Sequence, residues 1–352
     1  MSLHDPQLVA RVRPLVDSPQ MRFCFKGACD IFPVMKKRRW YRAWPETTAL
    51  LFAICWIPLL PRAAVVGLAR FIGNMGFRFS DKLKRVGLAN LDIAFGDEMS
   101  REEKEMLLRK CYQHFALLVL DIIWFAFFSK RRLEKWFKWD PSTEVMFEDE
   151  AQLELTAHYG NWETLGQSFA LRGAPVFSVA APLKNASANK VFIWLRQRTG
   201  QVIIPQQGAA RKLMQGLRKR HKLAVLLDQN TRPRDGGIFV DVMGLSAAVS
   251  SAPAALAVKT NANVVTVLAV PDENGRYTVT VYDTMRANHE EEDPVRELTQ
   301  RMTNSVVKVV RDTPQYWCWM YKRWKLIPEG ANPADYPWYA RKIEPRNLKY
   351  PS

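Results

Sequence analysis

The sequence predicts an α/β fold: a central, mostly parallel or mixed sheet flanked by helices, with an N-terminal helical membrane-anchoring region. Three observations carry that reading. From Leu153 onward, short apolar runs alternate with helical patterns, the signature of strands joined through crossover helices. Between residues 79 and 140 the apolar period is helical. Ahead of both, an uncharged run from Thr47 to Pro61 is bracketed by basic residues and tryptophans. The chain divides accordingly into a basic N-terminal segment (1–43), a hydrophobic anchor region (44–78), a helical region (79–140), an α/β region (141–330) and a Pro-rich tail (331–352).

The anchor region follows Lys36-Lys37-Arg38-Arg39-Trp40 and Arg42, and is followed by Arg62, Arg70 and Arg78. Its uncharged run falls short of the roughly twenty residues that cross a bilayer, and Pro58 and Pro61 would bend a helix there. With Trp40, Trp44 and Trp56 alongside, a membrane-embedded or surface-lying anchor fits best. A full span with Arg62 snorkelling to the interface and a buried core helix are the alternatives. Met1 to Gln20 carries no apolar stretch of the secretory kind.

In the helical region, Gly87 to Phe95 reads as a short linker. Ser100 and Glu103 then form a capping box that opens a helix. Its stripe (Leu108, Cys111, Phe115, Leu118, Ile122, Phe125) widens until Asp121 is the one charge between Phe115 and Phe128, before Lys130-Arg131-Arg132 ends it. Such a helix is buried in a core or packed on lipid.

The α/β region reads as strands at Leu153–Ala157, Pro175–Ala181, Val202–Ile204, Lys222–Leu227, Val264–Val270 and Arg276–Tyr282. Helices are expected at Trp162–Leu171, Lys190–Arg198, Ala209–Lys219 and Ala252–Val258, and a final one starts at Asp293-Pro294 with proline at its first position. Gly236 to Gly244 reads as a glycine-framed apolar loop.

Composition narrows the function. The 352 residues include 51 Lys+Arg against 35 Asp+Glu, a net charge of +16 that favours polyanions: nucleic acid, anionic lipid or phosphorylated substrates. Twelve tryptophans beside that charge point to a membrane interface rather than a plain nucleic-acid binder. The five scattered cysteines have no zinc-ligand spacing and read as free thiols, Cys24 and Cys29 alone being close enough in sequence to pair. No metal or cofactor is expected.

The chemistry concentrates in Thr156-Ala157-His158-Tyr159-Gly160-Asn161-Trp162-Glu163, where a predicted strand hands over to a helix. A neutral imidazole with a carboxylate to fix its tautomer is a general base able to activate a hydroxyl or amine. Glu163, reaching back from the first helical turn, is the expected partner of His158. A surface histidine near a helix start would give the same string, so its setting decides. Functional groups of open α/β sheets gather beyond the carboxyl ends of strands. There the chain places His158, then Lys184-Asn185, then Asp228-Gln229-Asn230-Thr231-Arg232, with Arg196 and Arg198 on the helix between. Cations near such a base suit a phosphate-bearing substrate and developing negative charge.

These residues carry a resemblance. Arg85-Val86-Gly87-Leu88-Ala89-Asn90-Leu91, the His158-to-Glu163 motif, Trp194-Leu195-Arg196-Gln197-Arg198, Asp228-Gln229-Asn230 with Phe239-Val240, and Gln315-Tyr316-Trp317 to Lys322-Arg323-Trp324 follow the order of the bacterial lipid A biosynthesis (late, or secondary) acyltransferases. The resemblance covers most of the chain. It implies a glycerolipid-acyltransferase-like fold, with residues 141–330 as the catalytic region on the cytoplasmic side of a bacterial inner membrane. The reaction it implies moves a fatty acyl chain from an acyl carrier protein or coenzyme A thioester to a hydroxyl of an anionic glycolipid, without a covalent acyl-enzyme. His158 and Glu163 would be catalytic, and Arg196, Asp228, Lys184, Arg198, Arg232 and Asn161 would bind substrate. Two departures, Tyr159-Gly160-Asn161-Trp162 inside the motif and the short Asp228-Gln229-Asn230 run, leave the acceptor open. A superfamily enzyme acting on another polar lipid, such as a mannosylated phosphoinositide, and a non-catalytic membrane-associated protein are the rival readings.

Overall fold

Seven strands form one sheet, in the order β1-β9-β8-β2-β5-β3-β4. The computed structural model describes residues 40–174, 176–180, 185–197, 201–205 and 209–340. By backbone proximity the chain divides into a large unit, residues 51–181 with 193–352, and a small one, residues 1–50 with 182–192. In the small unit, Asn185 Nδ2 donates to Glu46 Oε2 at 3.2 Å. Lys184 and Arg198 lie outside the described residues.

The strands are β1 (Phe137–Trp139), β2 (Gln152–Thr156), β3 (Val176–Ala180), β4 (Val202–Pro205), β5 (Lys222–Leu226), β8 (Asn263–Pro271) and β9 (Tyr277–Met285). Only the β8–β9 pair is antiparallel; the other neighbours run parallel. Helices α6 (Trp162–Leu171), α7 (Ala186–Gln197), α8 (Ala209–Arg218) and α9 (Ala252–Thr260) make the crossovers, and α10 (Pro294–Asp312) follows β9. The mostly parallel sheet flanked by helices agrees with the sequence pattern. β2 is buried at every position, Gln152 to Thr156, as a central parallel strand covered on both faces must be.

Two local readings are corrected. Gly236 to Gly244 is not a loop: β6 (Gly237–Val242) and β7 (Leu245–Ser250) form an antiparallel hairpin. Met243 and Gly244 both have positive φ, 56° and 84°, the backbone a two-residue hairpin turn demands. Nor is Gly87 to Phe95 a linker: it continues α3 (Asp81–Phe95). A Cβ at Gly87 would come within 2.5 Å of Leu108 Cδ1, so the neighbouring helix packs closely there.

The N-terminal part is helical: α1 (Trp40–Trp56), α2 (Arg62–Phe79), α3, α4 (Arg101–Ala126) and α5 (Ser129–Trp136). Pro58 and Pro61 break the apolar run after Trp56, separating α1 from α2. No helix among the described residues is long and apolar enough to cross a membrane. The Ser100–Glu103 capping box is present at the start of α4. The wide apolar stripe of α4 is core, with Leu118, Ile122, Ile123 and Phe125 buried, although Phe115 and Val119 stay exposed.

Arg62 does not snorkel. It is buried and forms an ion pair with Asp121, Nη2 reaching Oδ2 at 3.0 Å, and donates twice to the Gly275 carbonyl. Tyr277 Oη donates to the same Asp121 Oδ2 at 2.6 Å. The guanidinium also lies 5.0 Å from the ring centre of Trp124 and 5.2 Å from that of Phe125. Burial pushes the Asp121 carboxyl up, and Arg62 opposes that shift only in part. The lone charge of the apolar stripe is therefore a buried tie between α2, α4 and the β8–β9 hairpin.

Candidate active site

Parallel register builds the site. β2 pairs with β5 so that Gln152 faces Lys222 and Thr156 faces Leu226, a constant offset. Two residues past each strand end, the same offset sets His158 beside Asp228. Their contact is direct: His158 Nδ1 lies 2.8 Å from Asp228 Oδ1. The other carboxylate oxygen accepts the His158 backbone N–H at 2.9 Å and the Trp317 indole N–H at 2.8 Å.

The turn that follows is fixed on every side. Gly160 has φ of 57°, and a Cβ there would overlap the Ala269 carbonyl oxygen of β8, so glycine is required twice over. Its N–H donates to the Tyr316 carbonyl at 3.0 Å, and its own carbonyl accepts from His114 Nε2 at 2.9 Å. Burial pulls the His114 imidazole down to about 4, so it stays neutral and serves as a donor. Tyr159 is fully buried and bonds Thr313 through its hydroxyl. Asn161 caps α6, its Oδ1 accepting the Thr164 N–H at 2.9 Å, while its Nδ2 donates to Asp121 at 3.3 Å. Tyr159, Gly160 and Asn161 thus each have an architectural task. Asn161, expected among the substrate-binding residues, is fully buried and caps α6.

Two further expectations change. Asp228, not Glu163, is the carboxylate on the His158 ring. Glu163 turns to Arg196 instead, accepting from Nε at 2.7 Å and from Nη2 at 2.5 Å in a two-pronged pair. Asp228 is therefore paired with the His158 ring, and Arg196 is held by Glu163. Arg232 stands exposed in the loop after β5. The structure brings together His158, Asp228, Glu163 and Arg196.

The electrostatics favour an ionisable pair. Burial alone would lower the His158 pKa, but the charge and hydrogen bond of Asp228, with Glu163 nearby, outweigh it and leave the imidazole above its usual value. Burial pushes the Asp228 carboxyl up, yet the imidazole and the Trp317 and His158 donors hold it below the usual range. Because Asp228 stays ionised, Nδ1 carries the ring proton and Nε2 keeps its lone pair. Gln229 Nε2 lies 2.9 Å from His158 Nε2 and donates to it. The Trp162 ring meets the imidazole edge-on, centroids 4.9 Å apart.

Gln229 and Trp317 stand in motif blocks of the sequence, but spacing assigned them no contact with His158 or Asp228. Trp317 comes from the segment after α10, pinned by the Tyr159–Trp317 bridge and by Cys318 N–H donating to the His158 carbonyl at 3.0 Å. Asn230 Nδ2 donates to the Lys322 carbonyl at 2.7 Å, and Arg323 Nη1 to Asn230 Oδ1 at 3.2 Å. The blocks at 315–317 and 322–324 fold directly against the site. Among the described residues no cluster of His, Cys, Asp and Glu could hold a metal ion.

A histidine paired with a buried carboxylate at the carboxyl ends of parallel strands is an arrangement able to take a proton from a hydroxyl. Comparison with known proteins gives the class of group transferred. Residues 35–326 match the family model of the bacterial lipid A biosynthesis acyltransferases, and the chain belongs to that family. It is an acyltransferase. It is also 22% identical, over 299 residues, to the lipid A biosynthesis lauroyltransferase of Escherichia coli (strain K12), covering 82% of this chain and 94% of that protein.

Proposed function

We propose that this protein transfers a fatty acyl chain from a carrier-protein thioester, with coenzyme A as the other donor class, to a hydroxyl of a lipid A precursor. The observation that carries the reading is the His158–Asp228 pair, with Nε2 available for a proton. His158 Nε2 takes the acceptor hydroxyl proton as the oxygen attacks the thioester carbonyl. Asp228 stabilises the imidazolium so formed, and collapse of the tetrahedral intermediate expels the thiolate, which recovers the proton. Gln229 leaves Nε2 as the acceptor hydroxyl arrives. Arg196, braced by Glu163, keeps a positive charge at the same edge for the oxyanion or the anionic acceptor. We place the catalytic face on the cytoplasmic side of a bacterial inner membrane, in keeping with the net charge of +16.

The test is the purified enzyme with lauroyl- or myristoyl-carrier-protein thioester and tetraacylated lipid A precursor. His158→Ala should lose activity by about 10²–10⁴-fold, and Glu163→Ala should lose less because it does not touch the ring. Full activity in His158→Ala would sink the mechanism. Wild-type activity on another polar lipid, but none on the lipid A precursor, would move the acceptor assignment.

A further inference from the structure

Among the described residues, one face of α2 is exposed and is lined with large apolar side chains. At about 100° per residue, Ala64, Leu68, Phe71, Ile72, Met75 and Phe79 fall within an arc of about 100°. Phe71 is 62% exposed and Phe79 76%. The opposite arc, with Arg62, Val65, Val66, Ala69 and Gly73, is buried. Gly73 is there because a side chain would overlap the backbone of Tyr112 and Gln113 in α4. That contact and the Arg62–Asp121 pair fix the two helices antiparallel, and Phe115 and Val119 of α4 are exposed as well. Solvent exposure of so many large apolar groups on two adjacent helices is costly, and such a patch marks an interaction surface.

Charge selects the occupant. From Pro61 to Ser80 the chain has no acidic residue and three arginines. Arg62 is buried, while Arg70 and Arg78 are exposed, Arg78 at the rim of the apolar arc. A second copy of the chain would bring +16 against +16. An anionic bilayer meets both the apolar arc and its cationic rim.

We infer that α2 lies in the plane of an anionic membrane surface, its Phe71–Phe79 face in the acyl-chain boundary and its other face locked to the catalytic body. Spanning is ruled out for this helix by the same lock, since Arg62 and the buried arc belong to the protein core. The consequence rests on the acyl-transfer reading of the site. Asp121 binds both Arg62 of α2 and Asn161, the cap of α6, so docking would fix the position of the His158 turn relative to the lipid surface.

The test uses the full chain with Cys24, Cys29 and Cys55 replaced by serine and an environment-sensitive fluorophore on Met75→Cys. On vesicles of phosphatidylglycerol and phosphatidylethanolamine the probe should shift to the blue and be quenched by brominated acyl chains. The same probe on Glu102→Cys should stay in water. Phe71→Ser/Phe79→Ser should weaken partition to those vesicles by about tenfold or more, with activity on detergent-dispersed acceptor unchanged. A Met75 probe that remains water-exposed on bound vesicles would overturn the inference. So would a blue shift that needs no vesicles and grows with protein concentration, which would assign the face to self-association. Loss of membrane contact with activity intact, or the reverse, separates this inference from the acyl-transfer reading.

Discussion

Two buried carboxylates sit at opposite ends of one connected structure and do different things. Asp228 is sealed except on the side where it meets an imidazole with 24% of its side chain exposed. Asp121 is sealed on all sides, with a guanidinium, a phenol and an amide as partners. The first pair can change its protonation state because its imidazole reaches the surface, and Asp228 raises its pKa above the usual value. In the second, the arginine does not lose its proton in proteins and neither member reaches the surface. On the proposed function, burial of charge makes a reactive site in one case and a fastener in the other, and the partner's chemistry and access to solvent decide which.

The sharpest way to break this comparison is to neutralise each carboxylate. Asp228→Asn presents an amide N–H to Nδ1, which moves the ring proton to Nε2 and removes the base. Turnover should fall by about 10³–10⁴-fold, as for a base in the wrong tautomer, while thermal unfolding changes modestly. In the wild type, rate should fall with acid around a midpoint above 6.5, because the imidazole is raised and must be neutral to act. A midpoint below 6.5 would contradict the pairing.

Asp121→Ala should reverse the pattern. It leaves Arg62 buried without its counter-charge, a loss of about 3–5 kcal/mol in stability, read by denaturant unfolding. Replacing Arg62 and Asp121 together with apolar residues should recover much of that loss. A single variant as stable as wild type would show that the fastener carries no weight.

A third buried carboxyl tests the rule where no partner is supplied. Glu154 lies in β2, 3% exposed, and among the described residues neither side-chain oxygen accepts a hydrogen bond. Burial pushes it up to about 8 from 4.5, with Lys222 opposing and Glu150 adding. The folded state then holds a proton that the unfolded chain has released, so stability is full below pH 4.5 and declines as pH rises towards 8. The loss by pH 7 is on the order of 3 kcal/mol. Glu154→Gln should flatten that slope, and an unchanged pH-stability curve would refute it.

How much of this was legible in the chain follows from where each contact originates. The helix Trp162–Leu171 and the alternation around it were readable because periodicity and capping are local. The capping box at Ser100 was readable for the same reason. Local signals failed at Gly236 to Gly244, where the glycines mark a strand start and a tight turn rather than a loop. In the site, sequence proximity favoured Glu163 as partner of His158. The actual partner lies 70 residues away and arrives through parallel register, which no spacing rule records. Arg62 and Asp121, 59 residues apart, read as an interface cation and an isolated charge because neither segment alone shows what covers it.

The smallest expected effect concerns Trp317, a donor that the sequence marked only as part of a motif block. Trp317 gives its indole N–H to Asp228 Oδ2, spreading the negative charge that faces His158. Trp317→Phe keeps most of the apolar bulk and removes that donor. The carboxylate then concentrates more charge on the imidazole side and holds its proton more strongly, so the acid midpoint of kcat/KM should move up by a few tenths of a pH unit, the scale of a weakened hydrogen bond. The plateau rate above that midpoint should stay within about tenfold of wild type. A packing defect alone would lower the plateau and leave the midpoint where it was. An upward shift in Trp317→Phe therefore separates tuning of the Asp228 charge from loss of core volume, and marks the difference between a carboxylate that works through an exchangeable proton and one that only holds helices together.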